Sequence, residues 1–153
     1  MVLSEKNYRQ KIYAYTREQW QPLMDLIPEI EEALSFGEKG GGQKDPDGEM
    51  QMPYTIPAYV VTQFVDIVYE MPLMVSFDWP AWEEGRKMAN DPDFDFDSVD
   101  IPTKCKLITA VIRNDRFADG ALVRAFESGL ILKILKSIHR QLENPLTNST
   151  LPT

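Results

Sequence analysis

Apolar positions in this chain recur mainly at helical spacing. Trp20, Leu23, Ile27, Ile30 and Leu34 follow one another at intervals of three and four, which places them on one face of an α-helix. Thr16 and Gln19 match a capping box, in which a threonine side chain and a residue three positions on satisfy each other's free backbone N–H groups. The pattern predicts helix from Ser4 to roughly Leu34. Pro22 is early enough in that helix to be tolerated. Pro28 is not, because it lacks an N–H and its ring collides with the preceding turn. A break near Leu26 is therefore expected, followed by a short helix through Glu29–Leu34.

From Phe36 to Met52 the periodicity stops. Gly40-Gly41-Gly42 and Asp45-Pro46-Asp47-Gly48 are turn-forming runs, so 36–52 is expected to be a long flexible loop. Pro53 to Ile56 should be extended, with Pro57 starting a helix. Tyr59 to Tyr69 is rich in β-branched and aromatic residues, which suits a strand. Val60, Val61, Phe64, Val65 and Val68 also fit one helical face, and the length of the segment favours a helix.

Further on, Asp78 is a candidate N-cap, with Pro80 in the first turn and Phe77 and Trp82 placed as a hydrophobic staple. That helix should reach about Ala89. An acidic loop follows to Asp100, which caps a helix with Ile101, Cys105, Ile108 and Ile112 on its apolar face. Helices are expected over Phe117 to Glu127 and over Leu130 to about Leu142. Gly129 should lie between them as the left-handed residue that closes the first. Asn144-Pro145 ends the last helix, and 145–153 should fray. The fold class implied is all-α: one compact domain over 1–153, a bundle of about five to seven helices with a long Gly-rich loop.

Composition agrees with this picture. At 153 residues with 43% apolar and 26% charged content, the chain can bury a core without metal or disulfide staples. Cys105 is the single cysteine, so an internal disulfide and a Cys/His zinc site are both excluded, and a reducing compartment fits. The first ten residues lack the apolar run of a secretory signal, and no stretch nears the ~20 apolar residues of a membrane helix. The expected location is cytoplasmic.

The net charge of −8 is unevenly placed, with 8 Lys/Arg against 20 Asp/Glu in residues 1–100 and 8 against 4 in residues 101–153. Such asymmetry marks either a basic nucleic-acid surface or two halves that attract each other within one fold. Lys133, Lys136 and Arg140 form a short basic stripe on the last helix. No aromatic residues interleave with it, so a solvated face is favoured over a nucleic-acid surface.

Candidate chemistry is sparse. His139 is the only histidine and sits near a helix C-terminus, where it complements the helix dipole. Cys105 falls on an apolar face and is expected to be an inert buried thiol. Asp93-x-Asp95-x-Asp97 resembles the start of an EF-hand loop. Ser98 stands where the glycine belongs and Lys104 where the final glutamate belongs. Asp91, Asp93, Asp95, Asp97 and Asp100 are therefore expected to form a solvated loop that tucks Phe94 and Phe96 into the core. Gly37 to Lys44 lacks the spacing of a phosphate-binding loop. No metal and no cofactor are expected. Arg113, Asp115, Arg116 and Asp119 cluster at a helix–helix corner. With Asp78, Trp79, Trp82 and Glu127 they make the candidate polar pocket, although capping and corner-fixing account for most of them.

Phe77-Asp78-Trp79-x-x-Trp82, Leu107-Ile108-Thr109-Ala110-x-x-Arg113-x-Asp115-Arg116-Phe117-x-x-Gly120 and Phe126-Glu127-Ser128-Gly129-x-x-x-x-Ile134-Leu135 together resemble a family of small bacterial proteins, domain of unknown function 6508. Pro28-Glu29-Ile30-Glu31 and Gly41-Gly42-Gln43 are similar too. The likeness runs from about Leu23 to Ile138. It implies a bacterial or phage source and no particular chemistry. The function expected is non-enzymatic, a binding or interaction module of the bacterial cytoplasm with a protein or small-molecule partner and no membrane. The alternatives are nucleic-acid binding through the basic C-terminal helices and an enzyme based on carboxylates and arginine.

Overall fold

The computed structural model describes residues 5–44, 46–50 and 52–143. The all-α class holds, with one small two-stranded sheet beside the helices. The helices are α1 (Glu5–Ala14), α2 (Arg17–Met24), α3 (Leu26–Glu32), α4 (Tyr59–Glu70), α5 (Glu83–Asn90), α6 (Ile101–Asn114), α7 (Ala121–Glu127) and α8 (Leu130–Glu143). The expected frayed tail, 145–153, lies outside the described residues.

Helix α8 lies at the centre. Ile131, Ile134, Leu135 and Ile138 are fully buried, and α2, α3, α6 and α7 all pack against it. Helix α1 packs on α6, and α4 closes the other side against α2, α3 and α7. Tyr8, Trp20, Phe64 and Phe126 supply the large buried rings. Phe64 and Phe126 meet edge to face at 5.3 Å, a favoured aromatic geometry.

Several boundaries differ from expectation. The first helix divides at Tyr15-Thr16, because the Thr16–Gln19 capping box is formed and opens a new helix. The next break falls at Asp25, so Pro28 sits in the first turn of α3, where its missing N–H is harmless. Helix α3 stops at Glu32, Ala33 is extended, and Leu34 is fully exposed instead of inward. Part of the 36–52 segment is a strand, β1 (Gly37–Gly40), antiparallel to β2 (Tyr54–Pro57), with Gly37 opposite Pro57 and Gly40 opposite Tyr54. The Tyr54 ring lies over Gly40, where a Cβ would come within 2.6 Å of it. Tyr59–Glu70 is helix and buries Val61, Phe64 and Val68.

Asp78 caps no α-helix with its side chain. It precedes a 3-10 turn over Trp79–Ala81, and α5 begins only at Glu83. Trp82 interrupts the helix because its backbone is not helical (φ −84°, ψ 85°), and its ring packs edge-on to Phe77 at 5.5 Å. The staple contact thus exists in a different backbone frame. Phe117–Gly120 is likewise a turn. Gly120 adopts φ 83° and starts α7 at Ala121, and Phe117 is left 80% exposed. Gly129, at φ 85°, joins α7 to α8 as expected. Asp100 caps α6 through a 2.9 Å bond from the Thr103 N–H.

Candidate functional site

The eight residues of the candidate polar pocket are divided between two clefts or line neither. The first cleft, about 260 Å³, lies where α5 packs on α6, beneath the 3-10 turn. Trp79, Pro80 and Trp82 form one wall, Leu107, Ala110 and Val111 of α6 form the other, and Arg86, Asn90 and Asn114 supply polar atoms. Gly85 permits this arrangement, since a Cβ there would lie 2.2 Å from the Trp82 ring. On the other side of Trp82 the Lys106 ammonium sits 5.2 Å from one of its ring centroids and 4.8 Å from that of Phe77, a cation–π contact that fixes both rings. Lys106 also pairs with Glu5 at 3.6 Å. Trp79 meets the exposed Phe117 ring at 6.0 Å.

The second cleft, about 230 Å³, lies between β2, α4 and the corner before α7, and Asp66, Asp115 and Asp119 line it. Asp115 accepts the Leu122 N–H at 3.0 Å, fixing the corner. The Asp119 carbonyl accepts from Arg124 at 3.1 Å. Thr55 Oγ1, on this wall, and Arg113 Nε are buried without a hydrogen-bond partner. Asp78, Arg113, Arg116 and Glu127 line neither cleft, and Asp78, Arg116 and Glu127 are exposed.

Every member of the basic stripe has an intramolecular partner. Arg140 Nε lies 3.0 Å from Asp97, Lys136 lies 2.9 Å from Glu31, and Lys133 donates to the Pro92 carbonyl at 2.8 Å. The basic C-terminal third is thus tied to the acidic part of the chain, as two halves that attract each other within one fold would be. His139 is half exposed beside Glu143, 3.5 Å away. Cys105 is fully buried, and burial pushes its thiol up to about 12, so little of it is the reactive thiolate. The acidic loop uses its carboxylates on its own backbone. Asp91 accepts the Asp93 N–H, and Asp95 accepts that of Asp97. Phe94 and Phe96 pack together at 4.9 Å. Among the described residues no group of three or more His, Cys, Asp or Glu is placed to hold a metal, and no helix is long and apolar enough to cross a membrane.

A buried polar network escaped the sequence reading. The Lys104 ammonium donates to Ser137 Oγ at 2.6 Å and to Gln141 Oε1. Ser137 in turn donates to Asp97 at 2.5 Å, and Gln141 Nε2 donates to the Val99 carbonyl at 3.0 Å. Burial lowers the Lys104 pKa to about 8. Asp97 is held below its ordinary value, first by its hydrogen bonds to Arg140 and then by Ser137 against the opposing effect of burial. The signal was present in the spacing. Lys104 occupies the apolar row of Ile101, Cys105 and Ile108, and Ser137 and Gln141 flank Ile138 on the inner face of α8. None of the three lines either cleft, so the network pins the Phe96–Ser98 turn and Val99 to α6 and α8 and does not face a ligand.

A family model described as a family of unknown function (DUF6508) matches residues 15–144. No curated protein and no solved structure matches the chain.

Proposed function

The chain belongs to this family of unknown function, and we propose that it is a non-enzymatic binding module whose recognition surface is the Trp79/Trp82 cleft. The observation that carries the reading is the cleft itself, with two indole rings held in place opposite an aliphatic wall and amide and guanidinium groups at the edge. Small-molecule sites have this composition, mostly apolar with a few placed polar groups. Of the polar residues of the candidate pocket, Asp115 has its carboxylate engaged inside the fold, at the start of α7. The pairing of Lys133, Lys136 and Arg140 within the fold favours this reading over nucleic-acid binding. A single buried cysteine suits a reducing bacterial cytoplasm as the place of action.

The test is a fragment screen by two-dimensional NMR on the whole chain. Hits should shift the Trp79 and Trp82 indole N–H signals together with Leu107 and Val111, and Trp79→Ala should abolish those shifts. A screen in which no fragment perturbs these four residues refutes the reading. So does turnover of any substrate that Asp115→Ala or Arg116→Ala abolishes.

A further inference from the structure

Resting on the reading of this cleft as the binding surface, we infer that its ligand is a small planar aromatic carboxylate, with Arg86 as the anion anchor. Among the described residues lining the cleft, Arg86 is the only charged one, on a chain whose net charge is −8. A cationic lining on an acidic protein selects for anions locally, because like charge elsewhere does not cancel a contact made at hydrogen-bond distance. The guanidinium is already positioned, since Arg86 Nη1 donates to the Pro80 carbonyl on the same wall. A guanidinium carries five N–H donors in a planar fork, so this bond leaves donors to take a carboxylate in the paired geometry that arginine favours. Asn90 and Asn114 add neutral amides at the same edge. On the adjoining surface Glu83 lies near Arg86, with Lys87 beside it as a second cation.

The remaining walls fix the body of the ligand. Trp79, Pro80 and Trp82 line the cleft together with Leu107, Ala110 and Val111, and the Trp82 ring lies directly against Gly85 of α5, with no space for a Cβ between them. At about 260 Å³ the cleft is smaller than the roughly 300 Å³ at which pockets for drug-sized ligands begin. A fused two-ring acid fits that volume.

The experiment uses a matched pair of probes, 2-naphthoate and the neutral 2-naphthalenemethanol, titrated by NMR at neutral pH into the wild-type chain, Arg86→Gln and Arg86→Lys. The acid should shift Trp79 and Trp82 and bind about tenfold more tightly than the alcohol, the effect of a hydrogen-bonded charge on one contact. Arg86→Gln should remove that preference while the alcohol binds as before. Arg86→Lys should keep part of it, because the charge remains but the fork is lost. Equal binding of acid and alcohol by the wild type overturns the ligand class and leaves the cleft reading standing. Failure of both probes to shift either tryptophan overturns both. If Arg86→Gln does not fold, the wild-type comparison still decides.

Discussion

Replacing Lys104 by methionine separates two opposing effects in the buried network. The side chain is 1% exposed, and its folded pKa of about 8 lies below the ordinary 10.5. That difference means the ammonium is worse off inside the protein than in water by about 3 kcal/mol. Lys104→Met keeps an unbranched side chain, one heavy atom shorter, and removes this penalty. It also removes the hydrogen bond that Lys104 donates to Gln141 Oε1, which costs about 1–3 kcal/mol, while Ser137 keeps its bond to Asp97. The two terms nearly cancel, so stability at pH 7 should change by less than about 2 kcal/mol. The pH dependence isolates the charge. Between pH 8 and 10.5 the unfolded chain holds the Lys104 proton and the folded chain has released it, so stability rises with pH through this window. From pH 7 to pH 9 the wild type should therefore gain about 1 kcal/mol on the mutant, whatever other groups contribute to both. Urea unfolding followed by tryptophan fluorescence at the two pH values measures it. A loss above about 4 kcal/mol at pH 7, with a wild-type-to-mutant gap that does not move by pH 9, would falsify the account of Lys104 as a desolvated ammonium.

Three further outcomes follow from the same geometry. Gly85→Ala drives a Cβ to within 2.2 Å of the Trp82 ring; it should destabilise the fold by about 1–3 kcal/mol and change the near-ultraviolet circular dichroism, and an unchanged spectrum contradicts the stacked ring. Asp97→Asn removes the carboxylate that Arg140 and Ser137 hold. Because the folded pKa of Asp97 is depressed below its ordinary 3.8, its contribution is complete above that value and lost as pH falls through the folded pKa. The gap in melting temperature between wild type and Asp97→Asn should accordingly stay constant from pH 7 to 5 and close below 3.8; a gap that persists at lower pH argues against the charge. Cys105, buried with its thiol pushed up to about 12, should ignore a disulfide reagent in the native protein and react once in urea; rapid native labelling would show that α6 is not packed as described.

Helix positions were legible where one local rule settled them. The capping box at Thr16, Asp100 at the head of α6 and Gly129 between α7 and α8 all act over three or four residues, and all are formed. Errors arose where a tertiary contact overrode a local rule. Asp78 and Pro80 are good helix-starting residues, yet Trp82 is drawn to Phe77 and onto Gly85, and the helix waits until Glu83. Gly37–Gly40 carries no strand signal of its own, and only its partner Tyr54–Pro57, fourteen residues beyond Gly40, makes it one.

The candidate site was less legible for the same reason. In the sequence Trp79 and Trp82 stand out as large aromatics next to a helix start, and Arg113 to Asp119 as a dense run of charge. Spacing along one segment says nothing about which side of α6 each group faces. Across that helix the apolar row of Leu107, Ala110 and Val111 turns toward the tryptophans, whereas Asp115 and Asp119 turn toward α4 and β2. The polar cluster and the aromatic pair therefore serve different clefts. Arg86 went unnoticed because its neighbours in sequence, Glu84 and Lys87, make it look like one more solvated charge. What distinguishes it is its bond to the Pro80 carbonyl, six residues back across an interrupted helix. That interruption is set by the packing of Trp82, so the geometry of the cleft and the position of its one cation have a common origin. Any substitution that restores a continuous helix from Asp78 to Asn90 should dismantle both.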